Sequence, residues 1–247
     1  MVKKKAKKKN LKKKLTEDEK EELRMEGELP KKSVRNAEDT QLIWFFVIVG
    51  LVFAAILIPY FWIESSKSFE YARINWTVEK VPAPINVIWH GRFVSLLSLV
   101  RDDGNILNYN LYLYSDPRKN NIPTEGTFDA FKYGGIVSMS PEVDACRGEL
   151  SRVMIDLGSF LRQGVGIGPL EAGSTDFTVA GETGRRFSRC DVLDERTIVV
   201  IEIGGSAVVQ SEKNPHCYTI YAEDCDDVSS TEKFMVKSVE DFTNRWA

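Results

Sequence analysis

The chain has 247 residues, 43% of them apolar and 11% aromatic, with a net charge of -3. That composition can bury a core and excludes a wholly disordered chain; one uninterrupted apolar run excludes both a wholly soluble protein and a polytopic transporter. The near-neutral total hides a split, because residues 1–40 carry 14 Lys/Arg against 9 Asp/Glu whereas residues 85–247 carry 16 against 24.

Residues 1–41 read as a basic tail with nine lysines between Lys3 and Lys14. Ala6, Leu11 and Leu15 are the only apolar residues from Lys3 to Leu15, so the tract lacks an amphipathic stripe. It suits attraction to anionic lipid, or a solvated tail that sets topology. No aromatic side chain lies among the lysines to stack on bases, so nucleic acid is not expected. Thr16-Glu17-Asp18-Glu19 is a capping-box pattern and predicts a short charged helix ending near Gly27 or before Pro30.

Leu42 to Ile63 is 22 residues without a charge, about 33 Å as a helix and enough to cross the hydrocarbon of a bilayer. Trp44 near one end, and Tyr60 and Trp62 near the other, fit the interfacial aromatic belts. Pro59 falls in the expected last turn. The apolar run and the tail before it are too long for a cleaved signal peptide, and Glu64-Ser65-Ser66-Lys67 is no cleavage site. The segment reads as a single-pass signal anchor in the cell membrane. The lysine-rich tail places the N-terminus in the cytoplasm and the C-terminal mass outside. Gly50 and Ala54 form a small-xxx-small pair through which two such helices could dimerise.

Residues 64–84 end Val81-Pro82-Ala83-Pro84 and read as a stiff, extended stalk. Asn75-Trp76-Thr77 is the only N-x-[ST] triplet, which makes Asn75 a candidate glycosylation site on the predicted outer side.

Residues 85–247 read as an extracytoplasmic α+β domain, a mostly antiparallel sheet with two helices on one face. An apolar strand at Phe93–Val100, a turn at Arg101–Asn105 and an alternating strand at Ile106–Tyr114 make a hairpin. Ile136–Met139 is a short strand stopped by Ser140-Pro141. A helix from about Glu149 to Gln163 carries Leu150, Val153, Met154, Leu157, Phe160 and Leu161 on one stripe. Thr197–Ile203, Ala207–Gln210 and Cys217–Ala222 are further strands. Ser229-Ser230-Thr231-Glu232 is a second capping box, opening a helix with Met235, Val239, Phe242 and Trp246 on one face.

Cys146, Cys190, Cys217 and Cys225 all follow the span and are even in number, as disulfides in an oxidising compartment would be. Four cysteines allow three connectivities. Local closure predicts Cys217–Cys225 and leaves Cys146–Cys190.

No C-x-x-C occurs, and His90 and His216 are not at ligand spacing, so no metal site is expected. Gly164-x-Gly166-x-Gly168 follows a helix instead of joining a strand to one, so it reads as a helix stop and not a nucleotide loop. Glu223-Asp224-Cys225-Asp226-Asp227 lacks the pattern of a calcium loop, and no cofactor is expected. Arg152 and Asp156, at i and i+4, read as a surface ion pair; Ser159 falls on the solvent side of the same helix, and His90 reads as a loop residue. No catalytic constellation emerges.

The segment Tyr109-Asn110-Leu111-Tyr112-Leu113-Tyr114-Ser115-Asp116-Pro117-Arg118-Lys119, after a lysine-rich tail and one span, resembles a group of uncharacterised archaeal single-pass membrane proteins. The resemblance implies a cell-surface or complex-bound domain and carries no activity. The architecture itself predicts a membrane-anchored extracytoplasmic binding or assembly module whose partner is an envelope protein or a surface polymer. The alternatives are an envelope enzyme using carboxylates as acid and base on polymer or peptide, and an accessory subunit of a membrane complex.

Overall fold

The computed structural model describes residues 37–65, 67–82, 87–99, 107–147, 149–192 and 194–246; the lysine tract, the helix expected after Thr16 and the turn at 101–105 lie outside them. Two compact units divide the chain between Pro59 and Tyr60. Helix α1 runs Ala37–Ser65. Its stretch Thr40–Trp62, 23 residues, is long and apolar enough to cross a membrane, and none of it is buried. Pro59, expected in the last turn, lies inside the helix, which continues to Ser65. A Cβ added at Gly50 would meet open space.

Strands β1 (Ser68–Tyr71), β2 (Ile74–Lys80), β3 (Val87–Val94) and β4 (Asn108–Leu113) form an antiparallel meander in that order. Residues 68–80, expected within a stalk, are therefore a β-hairpin. Its two-residue turn, Ala72-Arg73, has both residues at positive φ (53° and 61°), the primed geometry that matches the twist of paired strands. Ile74 and Trp76 are fully buried while Asn75, Thr77 and Glu79 face solvent. The apolar anchor Trp76 binds this segment into the sheet and prevents it from acting as a free spacer. The Trp76 indole N–H donates to the Tyr71 carbonyl at 3.0 Å. The hairpin expected farther on also forms, but its first strand starts at Val87, and Leu96–Leu99 is a 3-10 turn.

A second sheet has seven strands: β5 (Thr124–Glu125), β6 (Gly135–Met139), β7 (Leu170–Ser174), β8 (Arg186–Phe187), β9 (Thr197–Ile203), β10 (Ala207–Gln210) and β11 (Cys217–Ala222), in the spatial order β5-β10-β11-β9-β6-β7-β8. Only β10 and β11 pair antiparallel; the other five pairings are parallel. The expectation of a mostly antiparallel sheet thus holds for the meander and fails here. Helical crossovers carry the chain back between β6 and β7 and between β7 and β8, and the other three parallel pairs join strands that are not consecutive in the chain. Between β6 and β7 lie α2 (Pro141–Asp144), α3 (Glu149–Ser159) and a π-helical turn (Phe160–Val165). Between β7 and β8 lies α4 (Phe177–Thr183), started by the Asp176 carboxylate, which accepts from the Thr178 and Val179 amides, and stopped by left-handed Gly184.

The C-terminal helix α5 (Ser229–Trp246) buries Met235, Val239 and Phe242, as its spacing predicts, and Phe234 besides, but leaves Trp246 exposed. One core joins α5, the α3 stripe (Leu150, Leu157), the π turn (Phe160, Leu161), one face of the seven-stranded sheet (Val199, Ile201, Ile220) and the inner face of the meander (Trp76, Leu111, Leu113). The other face of the large sheet has a small cluster, Ile136, Ile198, Val200 and Cys217, with Cys190 against it. The second capping box does not form. Asp227 takes the Ser229 amide and the Ser230 hydroxyl, and Glu232 turns instead to the end of β4.

All four cysteines are bridged, but as Cys146–Cys225 and Cys190–Cys217. The expected Cys217–Cys225 closure is excluded by β11 itself. A strand advances about 3.3 Å per residue, so Cys217, the first residue of β11, and Cys225, just past its last, sit at opposite ends of it. Each meets a neighbour brought alongside by a different element: Cys225 meets the exit of α2, and Cys217 meets the loop after β8.

Candidate functional site

Because β2, β3 and β4 are in register, alternate residues of the meander line up across its solvent face. Asn75, Arg92 and Asn110 form one row, and Thr77, His90 and Tyr112 the next, with Glu79 beyond. His90, expected in a loop, is in the middle of β3. Its ring stacks on Tyr112 with centroids 4.7 Å apart and planes within 10°. Its Nε2 lies 3.2 Å from the Asn110 side-chain oxygen, which also accepts from Arg92 Nε at 3.3 Å. Its Nδ1 lies 3.5 Å from a Glu79 carboxylate oxygen. The Thr77 hydroxyl donates to the His90 carbonyl at 3.4 Å. Tyr112 is 46% exposed.

This face is flat and rich in both donors and acceptors. Amides offer both kinds of group, the guanidinium only donors and the carboxylate only acceptors. The phenol adds an apolar ring with a polar tip. The His90–Glu79 contact resembles a base with its orienting acid. The hydroxyl of Thr77, the cross-strand neighbour of His90, is turned to a backbone carbonyl. A flat, wet surface also lacks the water exclusion that strengthens electrostatic catalysis. The arrangement offers hydrogen-bonding groups of both kinds beside a half-exposed aromatic ring.

A pair of carboxyls with raised pKa lies elsewhere. Glu232 is 1% exposed and accepts from the Tyr114 amide and the Ser115 hydroxyl. Burial pushes its pKa up to about 7, against these two hydrogen bonds. Burial also raises Asp156, which receives the Tyr114 hydroxyl at 3.3 Å. Arg152 does not close the expected ion pair with Asp156; its guanidinium is 3.7 Å from Glu149 and lies over the Tyr114 ring at 4.6 Å. Such a pair is a signature of acid–base chemistry, but the cavity beside Glu232 is about 10 Å³, room for about one water. A substrate does not fit there.

The other residues singled out from sequence have structural roles. Gly166 and Gly168 take left-handed conformations (φ 85° and 90°), ending the π turn, and a Cβ at Gly168 would meet the Tyr133 ring at 2.7 Å. They border an open groove of about 720 Å³ with Ser95, Leu97, Asn108 and Arg162. In the acidic run, Asp227 also accepts from the Glu223 amide and Asp224 from the Asp226 amide, so these carboxylates serve the turn before α5. Ser159, expected on the solvent side, is half-buried and accepts from the Tyr109 hydroxyl at 3.4 Å. Of the segments singled out from sequence, Asn75-Trp76-Thr77 and Tyr109–Lys119 both contribute residues to the meander face, the second through Asn110 and Tyr112. No protein-family model, curated protein or solved structure matches the chain.

Proposed function

We propose that the chain is a single-pass, membrane-anchored binding module, and that the solvent face of its β1–β4 meander holds a neutral, hydroxyl-rich polymer of the cell surface. The observation that carries the reading is the Asn110–His90–Tyr112 constellation with Arg92 and Glu79 at its sides. Paired donors and acceptors match hydroxyl groups, and the tyrosine ring suits the C–H side of a sugar. Arg92 is outnumbered by the carboxylates of Glu79 and of Glu70, which faces Asn75 from β1, so the face has no excess positive charge to draw an anionic polymer. Helix α1 supports the anchor, and the two disulfides support an oxidising compartment for the domain. The lysine tract would then meet anionic headgroups on the opposite side of the bilayer.

The test uses the full chain in lipid nanodiscs and the polysaccharide fraction of the cell envelope. Tyr112→Ala and Arg92→Ala should each weaken binding by about tenfold, about 1.4 kcal/mol. The affinity should change little between low and physiological salt, because no net charge is paired. Unchanged affinity in both variants, with circular dichroism reporting an intact fold, overturns the assignment.

A further inference from the structure

Asn75 occupies the second position of β2, just past the tight turn Ala72-Arg73, and its side chain faces solvent. Among the described asparagines, Asn110 is held by His90 and Arg92, and Asn120 donates to the Ser229 carbonyl. Asn75 makes no side-chain hydrogen bond to any described residue. Strand alternation puts Thr77 on the same exposed side and sends Trp76 inward, where it is wholly buried. The acceptor amide and the hydroxyl two residues on are therefore both accessible from solvent, as an N-x-[ST] acceptor must be. Asn75 sits between Glu70 on β1 and Arg92 on β3, and Thr77 between Ser68 and His90. Neighbouring strands are about 4.8 Å apart, so the first sugars on Asn75 would lie over Arg92, Asn110 and the His90–Tyr112 stack.

We propose that Asn75 is N-glycosylated and that its glycan occupies the meander face in cis, competing with polymer bound in trans. The competition rests on the binding role assigned to this face; the modification does not. In the transfer, the Asn75 amide nitrogen bonds to the anomeric carbon of a sugar carried on a lipid phosphate. The anomeric C–O bond breaks, its electron pair leaves with the lipid phosphate, and the amide gives up one proton. A membrane oligosaccharyl transferase acting on the side where the domain folds would supply the donor. An exposed asparagine on a half-buried sheet is ordinary in itself; the free amide, the aligned Thr77 and the sugar-compatible surroundings together point to the modification.

The test uses full-length protein from its native membranes. Cleavage after Arg73 and Lys80 releases Ile74–Lys80, which contains the whole triplet. Mass spectrometry should find this peptide carrying sugar on Asn75. Asn75→Gln and Thr77→Ala should abolish the modification, and Thr77→Ser should keep it. An unmodified peptide overturns the proposal, and the cysteines tell why. Bridged cysteines mean that Asn75 is no acceptor, whereas free thiols mean that the domain does not lie on the oxidising side. With the glycan established, Asn75→Gln from native membranes should bind the polysaccharide fraction about tenfold more tightly than the wild type. The two should bind alike when produced in a host without N-glycosylation. Equal binding from native membranes overturns the competition. Absence of polymer binding in every preparation, with sugar present on Asn75, sinks the binding role and leaves the modification standing.

Discussion

Glu232 shows how a single side chain can set the pH response of the whole domain. Its carboxyl, in the first turn of α5 and 1% exposed, has a pKa raised from 4.5 to about 7 because burial penalises the charged form. The folded state therefore keeps a proton that the unfolded chain has released. Stability from this group is fully present below pH 4.5, is lost as pH rises towards 7, and is level above that. The shift corresponds to about 3 kcal/mol. Glu232→Gln can still accept from the Tyr114 amide and never ionises. Urea titrations at pH 4.5 and pH 8 should show the variant gaining about 3 kcal/mol on the wild type between the two conditions; a constant difference would refute the account. Asp156, raised by burial, also pushes Glu232 up by like-charge repulsion, so the difference between the two proteins includes that coupling.

The packing of β3 on β2 depends on a glycine. A Cβ at Gly91 would come within 2.8 Å of both Ile74 and the Trp76 ring, and both neighbours are fully buried. Gly91→Ala should therefore destabilise the meander by about 1–3 kcal/mol, the range for overpacking a core, as read by the midpoint of thermal unfolding; a neutral change would mean that Trp76 has room to move. This hairpin was partly legible in advance, since Ile74, Trp76 and Val78 alternate with Asn75, Thr77 and Glu79. The prolines that follow drew the segment towards a spacer. Helix α4 was legible only at its ends, in Asp176 and Gly184, because seven residues are too few to show a stripe. The two long amphipathic helices and the β-branched run Thr197–Ile203 were plain, since period alone identifies them. The proposed binding face was not, because Glu79, His90 and Asn110 come from three strands and only their register makes them neighbours. The cysteine pairing failed against evidence already in the sequence: reading Cys217–Ala222 as extended is incompatible with closing a loop across it.

At the scale of the molecule, the two bridges secure both ends of β11, a strand within the larger sheet. The Cys146–Cys225 bridge spans 79 residues and Cys190–Cys217 spans 27. The chain-entropy argument assigns them roughly 4.5 and 3.6 kcal/mol. Replacing Cys146 and Cys225 together by alanine should thus cost about 1 kcal/mol more than replacing Cys190 and Cys217. Urea titrations of the two double variants would measure this, and the reverse order would show that local packing outweighs loop length. The pairing also has a consequence for the order of synthesis. Cys146 and Cys190 emerge first, and neither has its partner until residues 217–225 follow. In an oxidising lumen the one bridge available during that interval is Cys146–Cys190, which the finished protein does not contain. A chain oxidised as it emerges must later surrender that bond to an attacking thiolate. A chain that reaches the native pairing directly must keep two thiols reduced until nearly its last strand has arrived.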